Sequence, residues 1–260
     1  MDSATAGWRR MDAGSSLRPM IFLFTDFGLA GPYTGQMKAV LYARAPGVPV
    51  VDLFADAPAQ HPKAAAYLLA AYSATLPPDS VFLSVVDPGV GGERPPVVLR
   101  ADGRWFVGPG NGLFEIVCRR ARLAEAWRIE WKPDRLSATF HGRDIFAPVA
   151  ATLARGEPPP GTPLEPSEIA RPDWPDDLFE IVYIDHYGNA MAGARAAALA
   201  PEAWITVNGQ PLPMARKFSD VPVGTAFWYE NSNGLLEIAV NQGRAADRLR
   251  LAVGTPVAVR

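Results

Sequence analysis

The stretch that most restricts what this chain can fold into is residues 81–94, an apolar run with β-branched residues that stops abruptly at Asp87-Pro88-Gly89. Pro77-Pro78-Asp79-Ser80 bounds it on the other side. Such a run predicts a buried strand followed at once by a tight turn. A buried strand seldom needs a carboxylate at its end, yet Asp87 sits there. Arg94 follows across a loop that contains Gly89, Gly91 and Gly92. Glycines let backbone approach a ligand without a Cβ in the way. In open α/β sheets, ligands bind beyond the carboxyl ends of the strands. The stretch therefore reads as one wall of an active site. Taken alone, an Asx-type turn with a surface arginine accounts for it equally well.

The same pattern occurs upstream, where an apolar strand from Pro19 ends in Asp26. Pro32 suits the first turn of a helix running to about Ala45. A second strand is expected over 48–54, with Asp52 inside it, and an alanine- and leucine-rich helix over 62–74. Asp102-Gly103 marks a hairpin between 97–100 and 105–107. A loop at 108–112 feeds a helix over 113–122, residues 123–131 add an edge strand, and a loop at 139–144 enters a helix ending near Gly156. Strands alternating with helices predict an α/β N-terminal domain over 19–156 with a largely parallel central sheet. The 26 prolines of the 260 residues raise the prior for loops and linkers, and 157–176 reads as a Pro-rich, semi-rigid linker. Beyond it come only short strands, with a hairpin turn at Asn208-Gly209. They predict a small all-β, barrel-like C-terminal domain over 177–260.

Composition excludes several function classes. A net charge of -2 leaves no nucleic-acid footprint. The single Cys118 cannot form an intramolecular disulfide and fits a reducing, cytoplasmic compartment. Residues 1–18 carry Trp8-Arg9-Arg10 but no apolar core, so they read as a disordered leader rather than a secretory signal. No run approaches the roughly 18 apolar residues of a membrane span, so no membrane partner is expected. His61, His141 and His186 are scattered, and no metal site is expected. Phosphate-binding, zinc and nucleophile-elbow motifs are absent.

What remains is a set of polar residues at strand ends and in glycine-rich loops. Asp26 and Asp87 end candidate parallel strands and could share one crevice. His141 lies in a loop before a helix, with Arg143 and Asp144 as a helix-entry charge pair. Asp185 to Asn189 follows a strand, and Asn231 to Gly234 is a turn before another strand. Each has a plain structural reading as a turn or cap. Together they describe a two-part enzyme with a carboxylate-lined crevice.

The segments Thr25–Gly28, Val86–Gly91, Gly108–Gly112, Phe140–Pro148, Asp185–Asn189 and Asn231–Ala239, in this order over about residues 20–260, resemble the S-adenosylmethionine hydrolases. These are also called S-adenosylmethionine hydroxide adenosyltransferases and are related to fluorinases and chlorinases. The resemblance implies hydrolysis of S-adenosyl-L-methionine to adenosine and methionine, without a cofactor. It also implies a homotrimer whose sites lie between one protomer's N-terminal domain and its neighbour's C-terminal domain. Asp87, Arg94 and His141 fall on the catalytic positions, and Asp26 on the carboxylate that holds the ribose hydroxyls. Asp185, Ser232 and Glu237 fall where the methionine head is held, and Asn231 is a further substrate-binding candidate. Tyr187 and Asn189 fall beside the adenine, with Phe218 a further candidate for stacking on it. The loop after Pro58 reads Ala-Gln-His-Pro where the family usually has a Pro-Gln-Asp type run, which leaves the contact of Gln60 open, and His186, a less usual neighbour of Asp185, takes no assigned role.

The chemistry suits these residues. The sulfonium leaves as a neutral thioether and needs no acid, so aligning a water behind the 5′ carbon is the central task. Asp87 accepts from that water, Arg94 keeps Asp87 ionised, and His141 orients the water or helps remove its proton. A halide-using relative is the alternative within this class, disfavoured by the carboxylate at 87. A binding module without turnover is the alternative outside it.

Overall fold

The computed structural model describes residues 19–200 and 203–259. The leader expected at 1–18 lies outside the described residues. The first half of the chain forms β1 (Ile21–Thr25), α1 (Tyr33–Arg44), β2 (Val50–Phe54), α2 (Pro62–Ala74), β3 (Val81–Val85), β4 (Pro96–Ala101), β5 (Arg104–Pro109), α3 (Glu115–Arg120), β6 (Ala124–Ile129), α4 (Ala147–Ala154) and β7 (Gly161–Leu164). The strands form a 7-stranded sheet in the order β2-β1-β3-β5-β4-β6-β7. The first four of these run parallel, and β4, β6 and β7 continue the sheet antiparallel. β1 and β3 are neighbours in matched register, Thr25 opposite Val85, so the residues just past them emerge side by side.

The sheet has two apolar faces. On one, Phe22, Phe82 and Phe106 occupy register-matched positions of β1, β3 and β5. Their rings stack at centroid separations of 5.3 and 4.9 Å. α2 lies over this face, and Ala64 to Ala71 are all buried because β8 and β9 of the second half cover its other side. α1 and α4 cover the opposite face.

The second half contains β8 (Leu178–Ile184), β9 (Ala190–Arg195), β10 (Ile205–Val207), β11 (Gln210–Leu212), β12 (Ala226–Glu230), β13 (Leu235–Val240), α5 (Ala245–Leu249) and β14 (Ala258–Val259). They make a 4-stranded sheet, β12-β13-β9-β8, and a 3-stranded sheet, β11-β10-β14. Two single bridges join the sheets at both margins, Glu180 with Pro256 and Met214 with Trp228. The expected barrel-like form is therefore closed by isolated contacts and not by full ladders.

Three local readings change. The Pro-rich segment 157–176 carries structure of its own: β7 pairs with β6, and Pro166–Ile169 forms a 3-10 turn. The carbonyls of Trp174 and Pro175 accept from Arg119 and from the Tyr67 hydroxyl, so the prolines mark irregular backbone held by side chains. β6 is consequently an inner strand and β7 the edge. The helix entry after His141 begins as a π-helical turn, Gly142–Phe146.

The stacked phenylalanines carry a stability prediction. Phe82→Ala removes the middle ring of the stack and should lower unfolding free energy by about 3–5 kcal/mol, the usual cost of truncating a buried phenylalanine. Chemical denaturation followed by tryptophan fluorescence measures it, and a loss below about 1 kcal/mol would contradict this packing.

Candidate active site

Two cavities carry the residues singled out above, and they share no lining residue. The first, about 540 Å³, opens beyond the carboxyl ends of β1 and β3 and is lined by Asp26, Gln60, Asp87, His141 and Arg143 among others. Asp26 and Asp87 reach it because β1 and β3 are adjacent and parallel. His141 reaches it from the loop before the π-helical turn.

Arg94 and Asp87 form a buried ion pair, with only 11% and 4% of their side chains exposed. Arg94 Nε donates to both carboxylate oxygens at 3.0 Å, and its terminal nitrogen donates to Oδ2 as well. The same terminal nitrogen lies 3.1 Å from His141 Nδ1. A guanidinium only donates, so Nδ1 must accept and the ring proton sits on Nε2. Burial first, and then the Arg94 charge, hold His141 below its ordinary pKa. His141 is thus a neutral ring with a donor edge left over. It can orient a water, but its Nδ1 is occupied and does not serve to take a proton. Asp87 Oδ1 keeps a further lone pair beyond its bond to Arg94, whereas Oδ2 takes two bonds from the guanidinium.

Asp26 accepts the backbone N–H of Gln60 at 2.9 Å. Gln60 has φ 60, a left-handed conformation that aims this N–H. The contact uses no part of the Gln60 side chain, so the unusual local sequence leaves it intact. Burial raises the pKa of Asp26, and the Gln60 N–H and the Asp26 backbone pull it back; the nearby charge of Asp87 adds to the rise. Gly91, φ 81, brings the loop after β3 so close to Ala138 that a Cβ would stand 2.5 Å from its carbonyl oxygen.

The second cavity, about 840 Å³, lies on the β-rich half and is lined by Asp185, Tyr187, Asn189, Phe218, Ser232 and Glu237 among others. Asp185 closes its own turn by accepting from the backbone and side-chain nitrogens of Asn189, at 2.8 and 3.3 Å. Asn231 also lines the cavity, but its amide is already engaged. It accepts from the backbone of Asn233 and Leu235 and donates to Glu237 at 3.0 Å. It holds the turn and the carboxylate. Glu237 also accepts from the Tyr229 hydroxyl, and burial raises its pKa. Tyr187 and Phe218 remain exposed, and Phe218 packs edge-on against Phe227 and Tyr229. His186 lines the cavity too, and its carbonyl accepts from Arg244. Two carboxylates in one pocket favour a cationic group.

Several lining residues escaped the sequence reading. Tyr33 and Gln36 line the first cavity, as do Phe140 and Arg143, the latter expected only as a helix-entry charge; Tyr72, Tyr229 and Arg244 line the second. Tyr72 comes from α2, where an aromatic among alanines looks like core, and burial pushes its phenol up to about 12. Among the described residues, no group of three or more His, Cys, Asp or Glu side chains is arranged to hold a metal.

Residues 21–162 match the model of the SAM hydroxide adenosyltransferase N-terminal domain, and residues 179–258 match that of its C-terminal domain. The (R)-S-adenosyl-L-methionine hydrolase of Thermus thermophilus is 43% identical, over 93% of this chain and 99% of its own length. A fluorinase from Nocardia brasiliensis is 26% identical over 96% of this chain and 99% of its own. A crystal structure of an uncharacterized conserved protein from Thermotoga maritima superposes with a TM-score of 0.83 at 31% identity, covering 92% of this chain and 99% of that one.

The geometry around His141 fixes a pH dependence. With a folded pKa below the ordinary 6.5, the unfolded chain binds this proton more tightly. Its contribution to stability is intact above about pH 6.5 and is lost as pH falls through the folded value. Arg94→Ala removes the repelling cation and leaves Asp87 unneutralised, so the imidazole titration should move upward. Nitrogen-15 imidazole spectra of wild type and variant report both this shift and the Nε2–H tautomer. An unmoved titration, or a proton on Nδ1 in the wild type, would overturn the arrangement.

Proposed function

The chain belongs to the SAM hydroxide adenosyltransferase family, and we propose that it hydrolyses (R)-S-adenosyl-L-methionine to adenosine and methionine. The observation that carries this reading is that Asp87 and neutral His141, both held by the buried Arg94, line one cavity with Asp26. The sulfur configuration follows the name of the Thermus thermophilus relative.

The reaction is an in-line displacement at the ribose 5′ carbon. Water adds an oxygen to that carbon, the carbon–sulfur bond breaks, and methionine leaves as a neutral thioether. Asp26 accepts the ribose hydroxyls. Asp87 holds one hydrogen of the attacking water and takes its proton as the new bond forms. His141 Nε2–H donates to the same water and fixes its direction. Arg94 pairs with Asp87 and blocks His141 from the wrong tautomer. The leaving group needs no acid, and the proposed mechanism calls for no cofactor and no metal. Asp185, Ser232 and Glu237 hold the cationic methionine head, while Tyr187, Asn189 and Phe218 flank the adenine. A neighbouring protomer supplies these from its second cavity, so the working unit is a homotrimer. Two half-sets of ligand groups on cavities without a common residue support this assembly. Cys118, unpaired among the described residues, suits a cytoplasmic setting, and no helix of the described residues is long and apolar enough to cross a membrane.

Halide use is disfavoured by charge. An anion ~4 Å from the Asp87 carboxylate meets about 4 kcal/mol of repulsion at an effective dielectric near ~20. Arg94 is already committed to Asp87.

Purified protein with S-adenosylmethionine in ¹⁸O-labelled water should release adenosine labelled at the 5′ oxygen, and the (R) epimer should be consumed first. Chloride or fluoride should give little 5′-halo-adenosine. A halogenated main product, or no release of adenosine, would overturn the reading. Asp87→Ala should lower turnover about 10²-fold or more. Asp87→Ala subunits mixed with Glu237→Ala subunits should regain activity if the halves come from different protomers. A fully active monomer by light scattering would exclude the shared site.

A further inference from the structure

The loop 108–112, Gly-Pro-Gly-Asn-Gly, has no part in the mechanism above, yet it touches both ends of the segment that carries Asp87 and Arg94. Asn111 Nδ2 donates to the Val86 carbonyl at 2.9 Å, one residue before Asp87. Gly110 N–H donates to the Pro95 carbonyl at 2.8 Å, one residue after Arg94. Between these points Val90 N–H bonds the Asp87 carbonyl and Gly92 N–H bonds the Gly89 carbonyl, so the segment is two linked turns. The ion pair closes it from within, and the 108–112 loop holds it from outside.

The Asn111 bond fills a gap in the sheet. The β3–β5 ladder ends at Leu83 opposite Val107, so the fully buried Val86 has no ladder partner there. A buried carbonyl needs a donor. The asparagine amide supplies it, while its own oxygen accepts the Leu113 N–H at 3.2 Å and anchors the loop where α3 begins. The glycines make the approach feasible. A Cβ at Gly110 would stand 2.9 Å from the Pro95 ring and 3.0 Å from its carbonyl, and one at Gly108 would collide with the Ser84 carbonyl.

We propose that Asn111 is a positioning residue that sets Asp87 against the attacking water, and that the 108–112 loop is a clamp on the two ends of the Asp87–Arg94 segment. The role rests on the hydrolase reading above. In-line attack tolerates little displacement, and a shift near ~1 Å costs about 10²-fold in rate. Asp26 stands on another strand end and does not depend on this clamp. Substrate and product binding are therefore separable from the placement of Asp87.

Asn111→Ala and Asn111→Asp test the proposal. Aspartate keeps the shape and an acceptor for Leu113 N–H but presents no N–H to the Val86 carbonyl. Both variants should lose about 10- to 100-fold in kcat, on the scale expected for misplacement. KM and the calorimetric affinity for adenosine should stay within about threefold, since the ribose contacts are untouched. If folded Asn111→Asp protein keeps kcat within about twofold, Asn111 does not position Asp87. Parallel loss of kcat and adenosine affinity would also overturn the role, because it reports collapse of the whole cavity. Wild-type protein that releases no adenosine and methionine would instead sink the hydrolase reading.

Discussion

Helix α2 has almost no solvent-facing side over its middle turns, and this constraint decides how the two halves of the chain meet. Its alanines let the 7-stranded sheet approach on one side and β8 and β9 on the other. Tyr67 spans the seam by donating to the Pro175 carbonyl, and Tyr72 ends the helix at the lip of the second cavity. A helix buried on two sides cannot slide without breaking two packed layers. The β-rich half is thus fixed to the sheet that carries the first cavity.

Within the first cavity, electrostatics and tautomerism are one problem. Arg94 has enough donors to bind a carboxylate and an imidazole together, and it binds both. Loss of the guanidinium would therefore change two groups, leaving Asp87 without its counter-charge and His141 free to choose its proton. The second cavity repeats the logic with a neutral donor, where the Tyr229 hydroxyl and the Asn231 amide each occupy one oxygen of Glu237.

Much of this was legible from residue order. Asp26 and Asp87 stood out because a carboxylate at the end of an apolar strand has few structural uses, and parallel strands put both at the same end. The hairpin at Asp102-Gly103 and the strands of the second half followed from turn chemistry and alternation. Elsewhere the local signal was overridden. Proline content hid β7, whose pairing with β6 is an edge contact that tolerates Pro163. Tyr72 and Tyr229 were indistinguishable from core because an aromatic in a helix or strand carries no mark of the cavity its hydroxyl reaches. Gln60 seemed a side-chain question and proved a backbone one. The tautomer of His141 depends on a neighbour distant in sequence, which no local pattern encodes.

The single bridges that close the β-rich half have a bearing on assembly. Open sheets offer unpaired N–H and C=O groups at their margins, and a foreign strand can add there. Here β8 meets the segment before β14, and β12 meets the segment after β11, so both margins of each sheet are engaged within the same chain. Among the described residues these contacts occupy one stretch of each margin, and a foreign strand that added along the whole margin would have to displace them. A neighbour that leaves them in place is recognised through side chains and loop surfaces, where shape and charge discriminate between partners more strictly than backbone pairing does.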